Sequence, residues 1–340
     1  MPTIGVFPWP GWALVLLIGL MSGAGPVVAQ PAPPQSPAPP GKFQDRIEAA
    51  AIALRESNPR FKGASREFVQ GLAEFVSGNL LFVLLHEMAH ASITQMGLPV
   101  LGKMEDAADT FAALRLIRVG SDFSHRVLTN AAKGWFLADR RDKAAGDVVA
   151  FYDEHGLNQQ RAYQIVCLMV GSDDEKFKDL AAETKLPEER QDSRAGDYSN
   201  VAYSWDVVLK PHRRAPDQPK TKIDVVYGQA EGRAAVAERV NRSIRLLETV
   251  AEHAADDFAW PMPFTLEMQT CGSPNASWDL QSHKLTLCYE LAADFADLYR
   301  EYGARADGGR IADRSKRKTV STSAFKANLR PTQHKRKLSH

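Results

Sequence analysis

Leu80-Leu-Phe-Val-Leu-Leu-His86-Glu87-Met88-Ala89-His90-Ala91 decides how this chain is read. Six large apolar residues run directly into His-Glu-x-x-His. In a helix, positions four apart share one face, so His86 and His90 can offer imidazole nitrogens to one ion. Glu87 follows immediately and can take a proton from a water on that ion. Zinc suits the pattern, because it accepts two imidazoles and a carboxylate and leaves one position for water. With nine histidines in 340 residues, a chain of this composition holds roughly 0.01 such strings by chance. The apolar approach places the helix in a core, where unpartnered His and Glu are costly. Histidines satisfied by core hydrogen bonds alone are the structural alternative.

A third ligand has to come from elsewhere. The extended motif that continues with Gly and a third His is excluded, because Ile93 and Met96 occupy those positions. Downstream, Lys103-Met-Glu105-Asp106-Ala-Ala-Asp109 puts two carboxylates four apart. Glu105 is the expected third ligand, with Asp106 its rival, and Asp109 would orient a ligand imidazole. Gly97-Leu-Pro99 and Gly102 supply the turn that brings this helix back. Acidic residues also favour a helix's first turn for dipole reasons alone. That explains Glu105 and Asp106 better than Asp109.

Working outward, helices are expected over Phe43–Ser57, stopped at Asn58-Pro59, and over Arg66–Met96, with a possible break at Gly78-Asn79. Others are expected from Lys103 to about Val119 and over 122–140, 144–154 and 158–170. Residues 174–210 read as helical in pieces. Lys222–Tyr227, Phe264–Gln269 and Lys284–Cys288 alternate like strands. Residues 232–258 read as one long amphipathic helix, and Leu291–Tyr302 as a closing one. The expected class is α+β: a predominantly helical domain over 43–302 with a small C-terminal β element beside the His-Glu-x-x-His helix.

The ends differ from the body. No charged side chain precedes Lys42, and Trp12–Met21 is a compact apolar run with a small-residue exit at Val27-Val-Ala29. Residues 1–29 therefore read as an export signal, short for a membrane span. The expected location is secreted or periplasmic, an uncleaved anchor being the alternative. No stable membrane span is expected after cleavage. Residues 30–42, QPAPPQSPAPPGK, form a proline-rich linker. Residues 303–340 hold eleven Lys/Arg and two Asp, a basic tail expected to be disordered. The formal net charge is +1, so a polycation that coats nucleic acid is excluded and no specific nucleic-acid partner is expected. Cys271 and Cys288 flank strand candidates and would pair in an oxidising compartment. Cys167, among Ile165, Val166, Leu168 and Met169, reads as a small buried hydrophobe.

Residues 86–109, HEMAHASITQMGLPVLGKMEDAAD, resemble the gluzincins, the thermolysin-like metallopeptidases. Carried over, the resemblance makes His86, His90 and Glu105 zinc ligands, Glu87 the general base and Asp109 the partner of a ligand histidine. A closer resemblance is to a bacterial family described only as "putative metallopeptidases". Its HELxHAxxxxxxLPVLGxEEDAAD pattern matches the same stretch. Its CGxxNAxxD…CYEL element matches Cys271–Asp279 and Cys288–Leu291, and Asp153-Glu-His-Gly-Leu-Asn-Gln-Gln-Arg-Ala-Tyr163 is also similar. This resemblance spans roughly 65–302. It departs at a cysteine expected near Arg194 to partner Cys167, and the basic tail lies outside its pattern.

The expected activity is hydrolysis of peptide bonds in a peptide or protein substrate, through a zinc-bound water activated by Glu87. The alternative is a catalytically silent zincin-like module that binds a cell-envelope or protein partner. A third reading makes the tail the working part and the body a scaffold. An extended substrate would lie along a sheet edge, so residues 263–290 are expected beside His86 as a cleft wall. Tyr289, His283, Asn275 and His253 are the candidates for oxyanion donor. His125, His155 and His212 are expected at surfaces or in local packing, and Trp205 and Trp278 in the core.

Overall fold

The structure, a computed structural model, describes residues 42–148 and 151–303. The expected export signal, the proline-rich linker before Lys42 and the basic tail beyond Gly303 lie outside the described residues. Helix α1 (Phe43–Ser57) leads to α2 (Arg66–Met96), the axis of the domain. Ser65 Oγ caps α2 by accepting from Phe68 N–H at 3.1 Å, and Gly97 ends it in the left-handed region at φ 64°. Nineteen of its residues are buried. By length and composition α2 could cross a bilayer, but α1, α3 (Met104–Val119), α4 (Asp122–Ala145) and α11 (Tyr289–Leu298) cover it.

Gly78-Asn79 does not break α2. Gly78 lies where a Cβ would sit 3.5 Å from Asn130 Cβ and Val127 Cα of α4, so the small residue permits close helix contact. Asn79 Nδ2 donates to Phe75 O at 2.8 Å and to Asn130 O at 3.1 Å. The polar side chain is thus satisfied along and across the helices.

Two other expectations are corrected. No separate helix forms at 144–154 among the described residues: α4 runs on to Ala145 and stops, Gly146 takes φ 72°, and Asp147 N–H returns to Asp142 O at 3.0 Å. Turns and bends at 151–155 precede α5 (Asn158–Ser172). The long helix at 232–258 is two, α9 (Gly232–Ile244) and α10 (Leu246–Asp257), parted at Arg245 with φ 56°. Arg46 of α1 donates to Ile244 O at 2.8 Å and to Thr249 Oγ1 at 2.9 Å, which occupies a carbonyl freed by the break. Between α5 and the sheet, residues 178–209 form α6 (Lys178–Glu183), α7 (Glu188–Asp192) and α8 (Arg194–Leu209), helical in pieces as expected.

The strands β1 (Ile223–Tyr227), β2 (Phe264–Gln269), β3 (Ala276–Asp279) and β4 (Lys284–Cys288) form a mixed four-stranded sheet in the order β1-β2-β4-β3. β1 and β4 run parallel to β2, whereas β3 pairs antiparallel with β4 through Ser277–Thr286 and Trp278–Leu285. Strand β3 was not anticipated, because four residues of mixed polarity carry no alternation to read. Phe264, Leu266 and Met268 point into the core. The edge strand β3 lies on α2, where Trp278 Nε1 donates to Thr94 Oγ1 at 2.8 Å. The expected class, predominantly helical α+β with a small β element beside the His-Glu-x-x-His helix, is what the chain adopts.

Candidate metal centre

The left-handed turn at Gly97 and the short segment to Lys103 return the chain as α3, with its first turn facing the middle of α2. Glu105 and Asp109, four apart, therefore meet His86 and His90, four apart on the other helix. His86 Nε2 lies 3.1 Å from Glu105 Oε2 and 3.1 Å from His90 Nε2, and His90 Nε2 lies 3.4 Å from Glu105 Oε2. Tetrahedral zinc with bonds of about 2.0–2.1 Å separates its ligands by about 3.3 Å. The three nitrogen and oxygen donors thus already form one face of such a tetrahedron. Asp106, the rival ligand, is not in this cluster, and its Oδ1 faces Gly156.

Behind the cluster runs a chain of support. Asp109 Oδ1 accepts from His86 Nδ1 at 2.8 Å. Arg161 grips the same carboxylate with Nε and Nη2, both at 2.7 Å, and stacks on Trp135 at 3.8 Å. His86 is thereby held by Nδ1 with Nε2 turned to the centre. Asp109 is 2% exposed and Arg161 8%, so the pair is bidentate and dry.

The charges follow from these contacts. Burial raises the Asp109 carboxyl, but Arg161 and the His86 hydrogen bond outweigh it and hold Asp109 well below the carboxylate range. Glu105 is likewise held far down against burial, by hydrogen bonds from His155, His86 and His90. Burial would depress His86, yet Asp109 and Glu105 lift it to about 9. The centre is built of carboxylates that stay ionised and demand a cation. A proton on His86 answers that demand when no metal does.

His155 is the correction at this site. It was expected at a surface or in local packing, and its Nε2 lies 2.9 Å from Glu105 Oε2, with Nδ1 3.4 Å from Asp153 Oδ1. Its ring stacks on that of His86 at 6.2 Å. The turns and bends at 151–155 carry it. Arg161 was missed as well. A lone arginine on the apolar face of α5, beside Ile165 and Leu168, was the available signal, since a buried guanidinium requires a carboxylate.

Glu87 is 8% exposed and lines, with His86, His155, Pro274, Asn275 and Ala276, a cavity of about 80 Å³. The segment before and within β3 is thus the expected cleft wall. It is fastened by the Cys271–Cys288 disulfide, by Cys288 N–H to Asn275 O at 3.0 Å, and by Glu290, whose carboxylate accepts from Gly272 N–H at 2.8 Å. Of the oxyanion candidates only Asn275 reaches the cavity. Tyr289 is fully buried and donates to Gly228 O at 2.9 Å. His283 packs against Trp278, and His253 lies on α10. Cys167 is free and buried, its thiol pushed up to about 11 by burial.

No curated protein and no solved structure matches the chain significantly. The profile of a family described as "putative metallopeptidase" matches residues 44–209 and 228–327. The match includes both metal-site helices, the His155 turn and the disulfide-tied wall. It also runs past residue 302, into the tail that the resemblance left outside. With most of its length covered, the chain belongs to the family described as "putative metallopeptidase".

Proposed function

We propose that the protein is a zinc-dependent peptidase whose ligands are His86, His90 and Glu105 and whose general base is Glu87. The observation that carries this reading is the closure of three donors to within 3.4 Å of one another with Glu87 beside them on the wall of an open cavity. When bound, zinc supplies the positive charge that polarises a peptide carbonyl and acidifies a water molecule. Glu87 holds the proton taken from the attacking water and passes it to the leaving amine. Asp109 keeps His86 Nε2 directed at the centre, and Arg161 keeps Asp109 in place. His155, whose Nε2 lies 2.9 Å from Glu105 Oε2, steadies the Glu105 carboxylate that would hold the metal. The free edge of β3 supports the backbone of an extended substrate. The disulfide favours an oxidising compartment, in keeping with the export signal read at residues 1–29.

The test pairs two variants of the full chain. Glu87→Gln is expected to keep stoichiometric zinc, measured by atomic emission, and to lose peptide hydrolysis. Glu105→Ala is expected to lose the metal itself. Hydrolysis that survives Glu87→Gln removes Glu87 as base. Full zinc in Glu105→Ala moves the third ligand elsewhere.

A further inference from the structure

We propose that Cys271, Cys288 and Glu290 form a second cation site, apart from the His86–His90–Glu105 centre, which the disulfide keeps closed and reduction opens. In the reduced chain a thiophilic divalent cation such as zinc takes the place of the bridge and holds the same loop. The inference does not rest on the peptidase reading.

The donors are already gathered. The two sulfurs and a carboxylate oxygen of Glu290 lie within 4.8 Å of one another. A tetrahedral ion with Zn–S bonds of about 2.3 Å and Zn–O bonds of about 2.1 Å separates such ligands by about 3.6–3.8 Å. Opening the S–S bond lets the sulfurs part to that spacing by side-chain rotation. The Gln269 carbonyl oxygen lies 3.7 Å from Cys271 Sγ, a fourth donor at the same place. Three of the four residues stand on regular structure. Gln269 and Cys288 face each other across β2 and β4, and Glu290 is in the first turn of α11. The backbone aims Glu290. Its Oε1 accepts from Gly272 N–H at 2.8 Å and from Cys271 N–H at 3.2 Å, and its Oε2 from Cys271 N–H at 3.1 Å. Those bonds involve no sulfur, so they keep carboxylate and loop together when the bridge is cut. Each carboxylate oxygen has two lone pairs, so Oε2 keeps one for an ion.

Burial sets both the way in and the need for an ion. Cys271 is exposed and Cys288 is 2% exposed. A thiolate of a dithiol reductant attacks Cys271 Sγ; the S–S bond breaks and its electron pair leaves on Cys288 Sγ. The reductant's second thiol then attacks its partner sulfur in the mixed disulfide, closes a ring and releases Cys271 as a thiolate. Two electrons have passed from the dithiol to the bridge, and the dithiol's two protons remain with the cysteines. A bare Cys288 thiolate would stand buried beside the Glu290 carboxylate, at a cost. A divalent cation displaces the thiol protons to solvent and answers all three negative groups. Thiolates select zinc and its neighbours over calcium and magnesium. The loop so held carries Pro274, Asn275 and Ala276 of the cleft wall, so the ion replaces the bridge as its tie to β4.

The full chain is loaded with zinc, desalted, and compared with the same chain reduced anaerobically by dithiothreitol, reloaded and desalted again. Zinc per chain, read by atomic emission, is expected to rise by about one ion on reduction. Cobalt(II) in place of zinc is expected to give a thiolate-to-cobalt charge-transfer band in the near ultraviolet in the reduced chain alone. Glu290→Gln is expected to weaken cobalt at the reduced site about tenfold or more; unchanged affinity removes Glu290 from the site and overturns the ligand set. Glu105→Ala is expected to keep both the rise on reduction and the band, which separates this site from the His86 centre. Cys271→Ser with Cys288→Ser is expected to show neither. No rise in zinc overturns the proposal, as does a band that persists in that double variant, where Cys167 is the remaining thiol. A reduced chain that unfolds with zinc present, read by circular dichroism, also overturns it, because the ion then does not replace the bridge.

Discussion

At the scale of single residues, the decisive group is Asp109. It is buried, it binds His86 Nδ1, and it is gripped by Arg161. Asp109→Asn retains the shape but loses the charge that sets the His86 tautomer. Zinc affinity is expected to fall about 10–100-fold, measured by competition with a chromophoric chelator. The pH behaviour follows from His86, lifted to about 9 by Asp109 and Glu105 despite burial. A raised value means that its protonation stabilises the metal-free fold fully below the unfolded value of about 6.5, and that this stabilisation is lost as pH rises through about 9. Urea titrations of metal-free protein should therefore give a lower midpoint at pH 9.5 than at pH 6. Zinc binding near pH 7.5 should release about one proton, read by calorimetry in buffers of different ionisation enthalpy. No release would mean that His86 is neutral before the metal arrives.

Between residues and fold stand the helix contacts, among them the close approach of α2 and α4. Gly134 faces Asn79 so closely that a Cβ would run into its amide. That amide is itself committed to Phe75 O and Asn130 O. Gly134→Ala must push the helices apart or break those bonds, at a cost of about 1–3 kcal/mol in unfolding free energy. A midpoint unchanged from the parent would show that α4 yields freely there. The same element-level view explains which signals could be read. His86 with His90, and Glu105 with Asp109, are each four apart on one helix, so their faces follow from helical geometry. Arg245, in the left-handed region between α9 and α10, has no such signature. The bond from Arg46 some two hundred residues away helps hold that break. Strand β3 exists through pairing with β4, and its own four residues do not announce it.

For the whole molecule, the Cys271–Cys288 bridge matters because it ties the loop before β3 to the end of the inner strand β4. It fastens the loop that carries Asn275 to the junction of β4 and α11. On the chain-entropy estimate, a loop of this size is worth about 3 kcal/mol. Cys271→Ser with Cys288→Ser is expected to lower the thermal midpoint by several degrees. It is also expected to raise KM for peptide substrates while leaving zinc content unchanged, because the proposed ligands stand on α2 and α3 and the cleft wall on the loop. Loss of zinc together with the bridge would show that the two parts are not separable in this way.

The sequence alone determined the helix that carries His86 and His90, its return through Gly97, the carboxylates of the next helix and the α+β class. Each is a local matter, settled by 3.6-residue periodicity, glycine's access to positive φ and the alternation of strands. Only the tertiary structure decided that Glu105 rather than Asp106 faces the histidines, that His155 and Arg161 belong to the centre, and that Asn275 stands over the cleft. Those residues meet across long sequence distances. Their positions depend on how helices pack and on where a buried charge finds its partner, and no local pattern encodes either.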